Sequence, residues 1–307
     1  MNRKRIILVL SAGLLLIAGM AAALFFQFAR PEGNGPAGPK IARETFSQPW
    51  SDRPVLLVGL GDSVTAGFGA RKGYGYFDRL IKNPTDEFPD LKNVSLSAVF
   101  PNLSATNLSV SGSTSGEVVG RQLALLSTND VGMRGVVVMT TGGNDLIHNY
   151  GRTAPREEAM YGATWEQAQP WVKNFARCLE EIIAQIKNRF PGGCDIFMAN
   201  IFDPTDGLGD AERAGLPHWP DAMKILAAYN EVIHKNAEKH PEVHLVDMHQ
   251  AFLGHGIHCL QFWREYFDRR DPHYWFFANL EDPNERGYDV IRRIFLTEIA
   301  KVRNSFR

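Results

Sequence analysis

Two short apolar runs, each closing on a turn of glycine, hydroxyl and amide residues, constrain this chain more than any other feature. Val55 to Leu60 leads into Gly61, Asp62, Ser63 and Val64, and Val136 to Thr141 leads into Gly142, Gly143, Asn144 and Asp145. Such runs, bounded by turn residues, are strand-like, and the longer stretches between them carry helical spacing. The pattern predicts strands at 54–60, 104–110, 135–141, 194–201 and 243–247, and helices at 73–82, 115–127, 165–189, 220–239 and 284–304. Strands alternating with helices build right-handed βαβ units, hence an α/β fold with a parallel sheet covered on both faces. In open sheets of this kind ligands bind beyond the carboxyl ends of the strands, where Ser63 and Asn144 fall.

The stretch 165–189 shows how the helical signal is read. Thr164 and Gln167 have the spacing of a capping box, and Trp171, Phe175, Leu179, Ile182, Ile183 and Ile186 recur mostly at intervals of three and four. Phe190, Pro191, Gly192 and Gly193 end it. Pro170 offers an alternative start, because proline is favoured in the first helical turn.

The N-terminus is of another kind. Arg3, Lys4 and Arg5 precede Ile6 to Phe26, an uncharged run of 21 residues, long enough to cross a hydrocarbon core as a helix. The basic flank keeps the N-terminus in the cytoplasm and predicts that the rest lies outside it, periplasmic or extracellular. Ala21 to Ala23 offers a signal-peptidase site that would release a secreted protein, but the apolar run continues through Phe26, which favours an anchor. Pro31 to Pro39 reads as a linker, since a proline- and glycine-rich stretch buries little surface of its own. The organisation expected is therefore an anchor over 1–27, a linker over 28–53 and one catalytic domain over 54–307.

The 33 Lys and Arg balance 34 Asp and Glu, so the chain lacks the concentrated positive charge a nucleic-acid partner requires. Cys178, Cys194 and Cys259 show no metal or redox spacing and read as small buried apolar residues.

The chemistry is carried by three strand ends. A serine hydroxyl needs a base, and acyl transfer needs donors preorganised for an oxyanion. Ser63 lies on a turn kept small by Gly61, Ala66, Gly67, Gly69 and Ala70, although a serine capping a helix gives the same local sequence. Gly112, after the second strand, can bring an unobstructed N–H to a ligand. Asn144, after the third, carries a side-chain amide donor.

Together these motifs resemble the SGNH (GDSL) hydrolase family over roughly residues 54–300. The resemblance implies a flavodoxin-like, doubly wound five-stranded α/β/α sandwich and an esterase, lipase, thioesterase or carbohydrate deacetylase activity. It implies Ser63 as nucleophile, the Ser63 amide with Gly112 and Asn144 as oxyanion hole, Asp62 as a turn support, and no metal or organic cofactor.

The family's last motif, Asp-x-x-His, is altered here: Asn279 stands at the Asp position and Asp282 at the His position, while Pro283, Asn284 and Gly287 fit. Three readings follow. His258 or His273 reaches the site and Asp282 orients it, giving a rearranged triad; Asp282 is itself the base, its pKa raised by burial; or hydrolysis is lost and the pocket only binds. His148, four residues after Asn144, would share a helical face with it and line the pocket, or lie on the helix surface. The loop Asp203 to Asp210 alternates oxygen donors with glycines, as a calcium loop or a solvated turn would. The aromatic stretches Phe262 to Phe267 and Tyr274 to Phe277 are expected to cap the pocket or to pack on the last helix.

The function expected is that of a membrane-anchored serine hydrolase acting on an acyl or acetyl ester of a lipid or carbohydrate. A binding module and an acyltransferase are the alternatives.

Overall fold

The computed structural model describes residues 3–147 and 161–306. Its centre is a five-stranded sheet of β1 (Val55–Gly61), β2 (Leu103–Asn107), β3 (Arg134–Thr140), β4 (Cys194–Ala199) and β5 (Val243–Val246). The strand order is β2-β1-β3-β4-β5 and every pairing is parallel. This is the doubly wound, flavodoxin-like order, with its reversal between β1 and β3. Gly61 pairs with Thr140, so the turns that follow these two strands start side by side.

Alternation along the central strands splits the core in two. Leu57, Val136, Val138 and Phe197 face one side, where the helices Tyr76–Ile81 and Glu285–Lys301 bury Tyr76, Leu80, Tyr288, Ile291 and Phe295. Val58, Leu60, Val137, Met139 and Ile196 face the other, against Phe175, Leu179, Ile182 and Ile186 of Trp165–Arg189 and Tyr229 and Ile233 of Ala222–Lys239. A two-residue period buried on both faces is what a central parallel strand requires.

The helix Trp165–Arg189 begins where its capping box puts it: Thr164 N donates to Gln167 Oε1 at 2.9 Å, and Gln167 N to Thr164 Oγ1 at 3.3 Å. Pro170 lies inside it, not at its start. The expected helix over 115–127 is broken instead, with Ser115–Glu117 and Leu123–Leu125 flanking a wide π turn at Val118–Gln122. Gln122, on that turn, reaches the end of β1, accepting from Gly61 N (2.8 Å) and donating to Gly61 O (2.7 Å). Single π turns of this kind recur at functional sites.

The N-terminal helix Arg3–Phe28 contains an apolar span, Leu10–Phe28, long enough to cross a membrane and largely exposed, half-buried at Phe26 and Gln27. The segment expected to be a loose linker is laid along the helix Glu285–Lys301. Ala37 N donates to Asp289 Oδ2, Arg286 to the carbonyls of Asn34 and Gly35, and Tyr274 N to Pro31 O. Phe46 and Trp50 are buried, Trp50 packing on Phe100 and Phe306. The partners that order this stretch lie some 250 residues away, beyond the reach of a local composition argument.

Candidate active site

The backbone leaves β1 through Gly61 with φ at 109°, and a Cβ there would stand 1.7 Å from the carbonyl oxygen of Thr140. Only glycine permits β1 and β3 to end so close together. Asp62 then caps the single turn Ser63–Ala66, its Oδ1 accepting from Val64 N (3.1 Å) and from Thr140 Oγ1 (2.6 Å). Thr140 also bonds Thr65, which bonds Tyr76, so the nucleophile's turn is bolted to β3 from beneath.

Ser63 and Asn144 both line a cavity of about 1010 Å³, its open mouth included. Asn144 Nδ2 donates to the carbonyl of Ser113 (3.1 Å), its one hydrogen bond among the described residues, and the amide carries a second hydrogen. The adjoining Ser115 fixes that loop, its N and Oγ both donating to the buried Asp145. Gly112 has φ at 82° and open space beside it. It does not itself line the wall; its neighbour Ser113 accepts from Asn144, which does.

Asp282 is buried, with Leu280 and Glu281 beside it on the cavity wall. Its Oδ2 accepts from Asn279 Nδ2 at 2.7 Å, and the Asn279 side-chain oxygen Oδ1 in turn accepts from the N–H groups of Glu281 and Asp282. Its Oδ1 is enclosed without a hydrogen-bond partner, and the Ser63 hydroxyl is among the groups near enough to the carboxylate to favour its charged form. Burial holds the Asp282 pKa above the ordinary carboxylate range, against the opposing effect of Ser63 and Asn279. Burial likewise pushes Asp62 up to about 7, with the Thr140 hydrogen bond opposing and the charges of Asp282 and Asp145 adding to the rise.

A family model of GDSL-like lipases and acylhydrolases matches residues 60–290. The chain belongs to this family. The GDSL enzymes are ester hydrolases, and that is the activity class of this protein. No curated protein matches it in sequence. Among solved structures it is similar to a variant of an acetyl xylan esterase from Geobacillus stearothermophilus (18% identity, 81% of this chain and 95% of that one, TM-score 0.50). It is also similar to an extracellular lipase from Streptomyces rimosus (17% identity, 80% and 99%, TM-score 0.48). A third is phospholipase A1 from Streptomyces albidoflavus (19% identity, 79% and 98%, TM-score 0.48).

In this GDSL hydrolase the two candidate histidines are engaged elsewhere. His258 is buried with Nε2 on Asp210 (2.8 Å), and His273 pairs through Nδ1 with Asp271, its ring against Gly33. Asp282 orients neither of them. His148 lies outside the described residues.

The loop Asp203 to Asp210 is not a solvated turn, nor are its carboxylates available to a cation. Asp203 accepts from Thr205 and Gly207, Asp206 from the N–H groups of Gly254, Gly256 and His258, and Asp210 pairs with His258 and Arg213.

The aromatic stretches do not cap the cavity. Tyr274, Trp275 and Phe276 are buried in the core, Trp275 and Phe276 against Phe252. The apolar wall instead comes from residues that sequence reasoning passes over: Leu146, Ile201, Leu216, Trp219, Met223 and Leu226. Trp219 is fixed by Tyr161 (4.6 Å between centroids) and by its Nε1 on Ala163 O (2.8 Å). Met223 and Leu226 carry a signal, being apolar positions near the start of a helix that opens at the catalytic edge. Trp219, in a loop, carries none.

Proposed function

We propose that Ser63 is an acylating nucleophile whose base is Asp282, in a Ser-Asp-Asn arrangement completed by Asn279. The observation that carries this reading is the Ser63 hydroxyl set against a buried carboxylate whose other oxygen accepts from Asn279. Asp282 Oδ1 takes the Ser63 proton as Oγ attacks the ester carbonyl. The Ser63 amide, Asn144 Nδ2 and the Gly112 N–H receive the oxyanion. The proton then passes from Asp282 to the departing alkoxide; water, deprotonated by the same carboxylate, attacks the acyl group, and Asp282 returns that proton to Ser63 Oγ as the acid leaves. A carboxylate near pKa 4 is a weak base toward a hydroxyl, and the upward shift from burial narrows that gap.

The apolar cavity wall supports an acyl ester of a lipid over a carbohydrate ester as substrate. The span Leu10–Phe28 supports a retained anchor, with the catalytic domain outside the cytoplasm.

Replacing Ser63 with Ala tests the reading: turnover of a short-chain aryl ester and labelling by a fluorophosphonate both vanish while the fold persists. Turnover unchanged in Ser63→Ala refutes it. A correctly folded wild-type protein that neither turns over the ester nor takes the label is a binding module.

A further inference from the structure

The outer end of the apolar helix is seated on the domain. Phe26 meets Phe262 and Trp263 edge-on, at 5.7 and 5.5 Å between centroids, and these two rings meet each other at 5.0 Å. Gln261 Nε2 donates to the carbonyl of Phe26 at 3.3 Å, one of the last-turn acceptors that a helix leaves unpaired. Yet Phe262 and Trp263 remain 62% and 54% exposed, beside Phe25 and Phe28 at 55% and 60%. Large aromatics exposed together in this way mark a surface that something covers.

The length of the span says what covers them. Ile6 to Phe26 is 21 residues, about 31 Å of helix at about 1.5 Å per residue, against a hydrocarbon core of about 30 Å. With Arg3, Lys4 and Arg5 at one surface, Phe26 falls at the opposite boundary, and side chains packed on Phe26 fall there too. That is the depth at which tryptophan concentrates in membrane proteins, its ring apolar and its N–H wet.

We propose that Phe262 and Trp263 form a second membrane contact, seated in the leaflet from which the helix emerges, and that this contact holds the catalytic cavity against the lipid surface so that the ester is taken from the bilayer. The linkage to the cavity is rigid. Asp206 accepts from the N–H groups of Gly254 and Gly256 (both 2.8 Å) and His258 (2.9 Å), and Ile257 N donates to Pro204 O (2.8 Å). The Tyr266 ring lies against Gly207, with only 3.1 Å from Tyr266 Cε2 to a Cβ placed there. Asp203, Pro204, Thr205 and Gly209 of the same loop line the cavity. The delivery of substrate rests on the ester-hydrolase reading; the membrane contact does not.

The test uses the full chain reconstituted in dioleoylphosphatidylcholine vesicles, with and without phosphatidylcholine brominated on its acyl chains. Bromine quenches the fluorescence component that Trp263→Phe removes. The pair Phe262→Ser with Trp263→Ser lowers hydrolysis of a vesicle-borne long-chain ester about tenfold, while turnover of a water-soluble short-chain ester stays at its wild-type rate. Unquenched Trp263, the result if a protein partner or a second copy covers the patch, overturns the proposal. Equal loss on both esters, or loss on neither, overturns the delivery role. Quenched Trp263 in a protein inactive on both esters upholds the contact and refutes the hydrolase reading instead.

Discussion

At Asn279 and Asp282 two departures from the family pattern answer each other. A histidine base is held by a carboxylate that accepts its N–H; an aspartate base held by a second carboxylate would face a like charge. Asn279 removes that charge and supplies a donor, at 2.7 Å from Asp282 Oδ2. Restoring the family residue alone, Asn279→Asp, therefore raises the pKa of the pair and moves the rise of ester turnover to higher pH, lowering the rate at neutrality. A pH–rate profile of the variant measures it. Asp62 makes a separate prediction. Its folded pKa of about 7 lies above the unfolded value near 4, so between these the native state binds the extra proton and stability falls as pH rises. Asp62→Asn keeps an acceptor for Val64 N and Thr140 Oγ1 and flattens the decline in melting temperature from pH 4 to 7. That Ser63 and Asn144 share one cavity wall is legible in the sequence, because both follow parallel strands whose carboxyl ends open on one crevice. The alternative base, Asp282, is legible only as a position, since what makes a carboxylate basic is burial by residues distant in the chain.

Among the elements, the strands and the helix Trp165–Arg189 follow from local pattern, because period and capping residues act over a few positions. The stretch 115–127 does not, since its helical spacing is interrupted by the π turn that turns Gln122 inward. Gln122→Ala removes the acceptor of the buried Gly61 N–H, while Gly61 O keeps Val110 N at 3.1 Å. We expect a loss of about 1–3 kcal/mol in urea unfolding, the cost of one buried unsatisfied group. The aromatic stretches show the opposite failure. Their composition predicts burial or exposure equally well, and it is their neighbours in space that put Phe276 in the core and Trp263 on the N-terminal helix.

Over the whole molecule, the N-terminal segment, the helix Tyr76–Ile81 and the helix Glu285–Lys301 meet in a buried ionic cluster. Arg79 pairs with Glu87 and Asp289 (3.0 and 3.1 Å), Arg292 with Glu87 and Asp289, and Arg293 with Asp289 (2.9 Å) and Asp90 (2.6 Å). Ala37 N completes Asp289. This is why a proline- and glycine-rich stretch is ordered: its backbone N–H and carbonyl groups satisfy charges the core has already buried. Asp289→Ala leaves three guanidinium groups short of their shared carboxylate, and a loss of about 3–5 kcal/mol is expected. Chemical denaturation measures it, and proteolysis within residues 31–50 should accelerate in the same variant.

The pairing of Asp282 with Ser63 is tested most directly by the pH dependence of fluorophosphonate labelling at Ser63, in the wild type and in Asp282→Asn. General-base removal predicts a fall of about 10²–10⁴-fold, with the wild-type rate rising through one ionisation above the ordinary carboxylate range and the variant flat. A rate that Asp282→Asn leaves unchanged, or a wild-type rise near the ordinary histidine value of about 6.5 that the variant retains, would contradict the account.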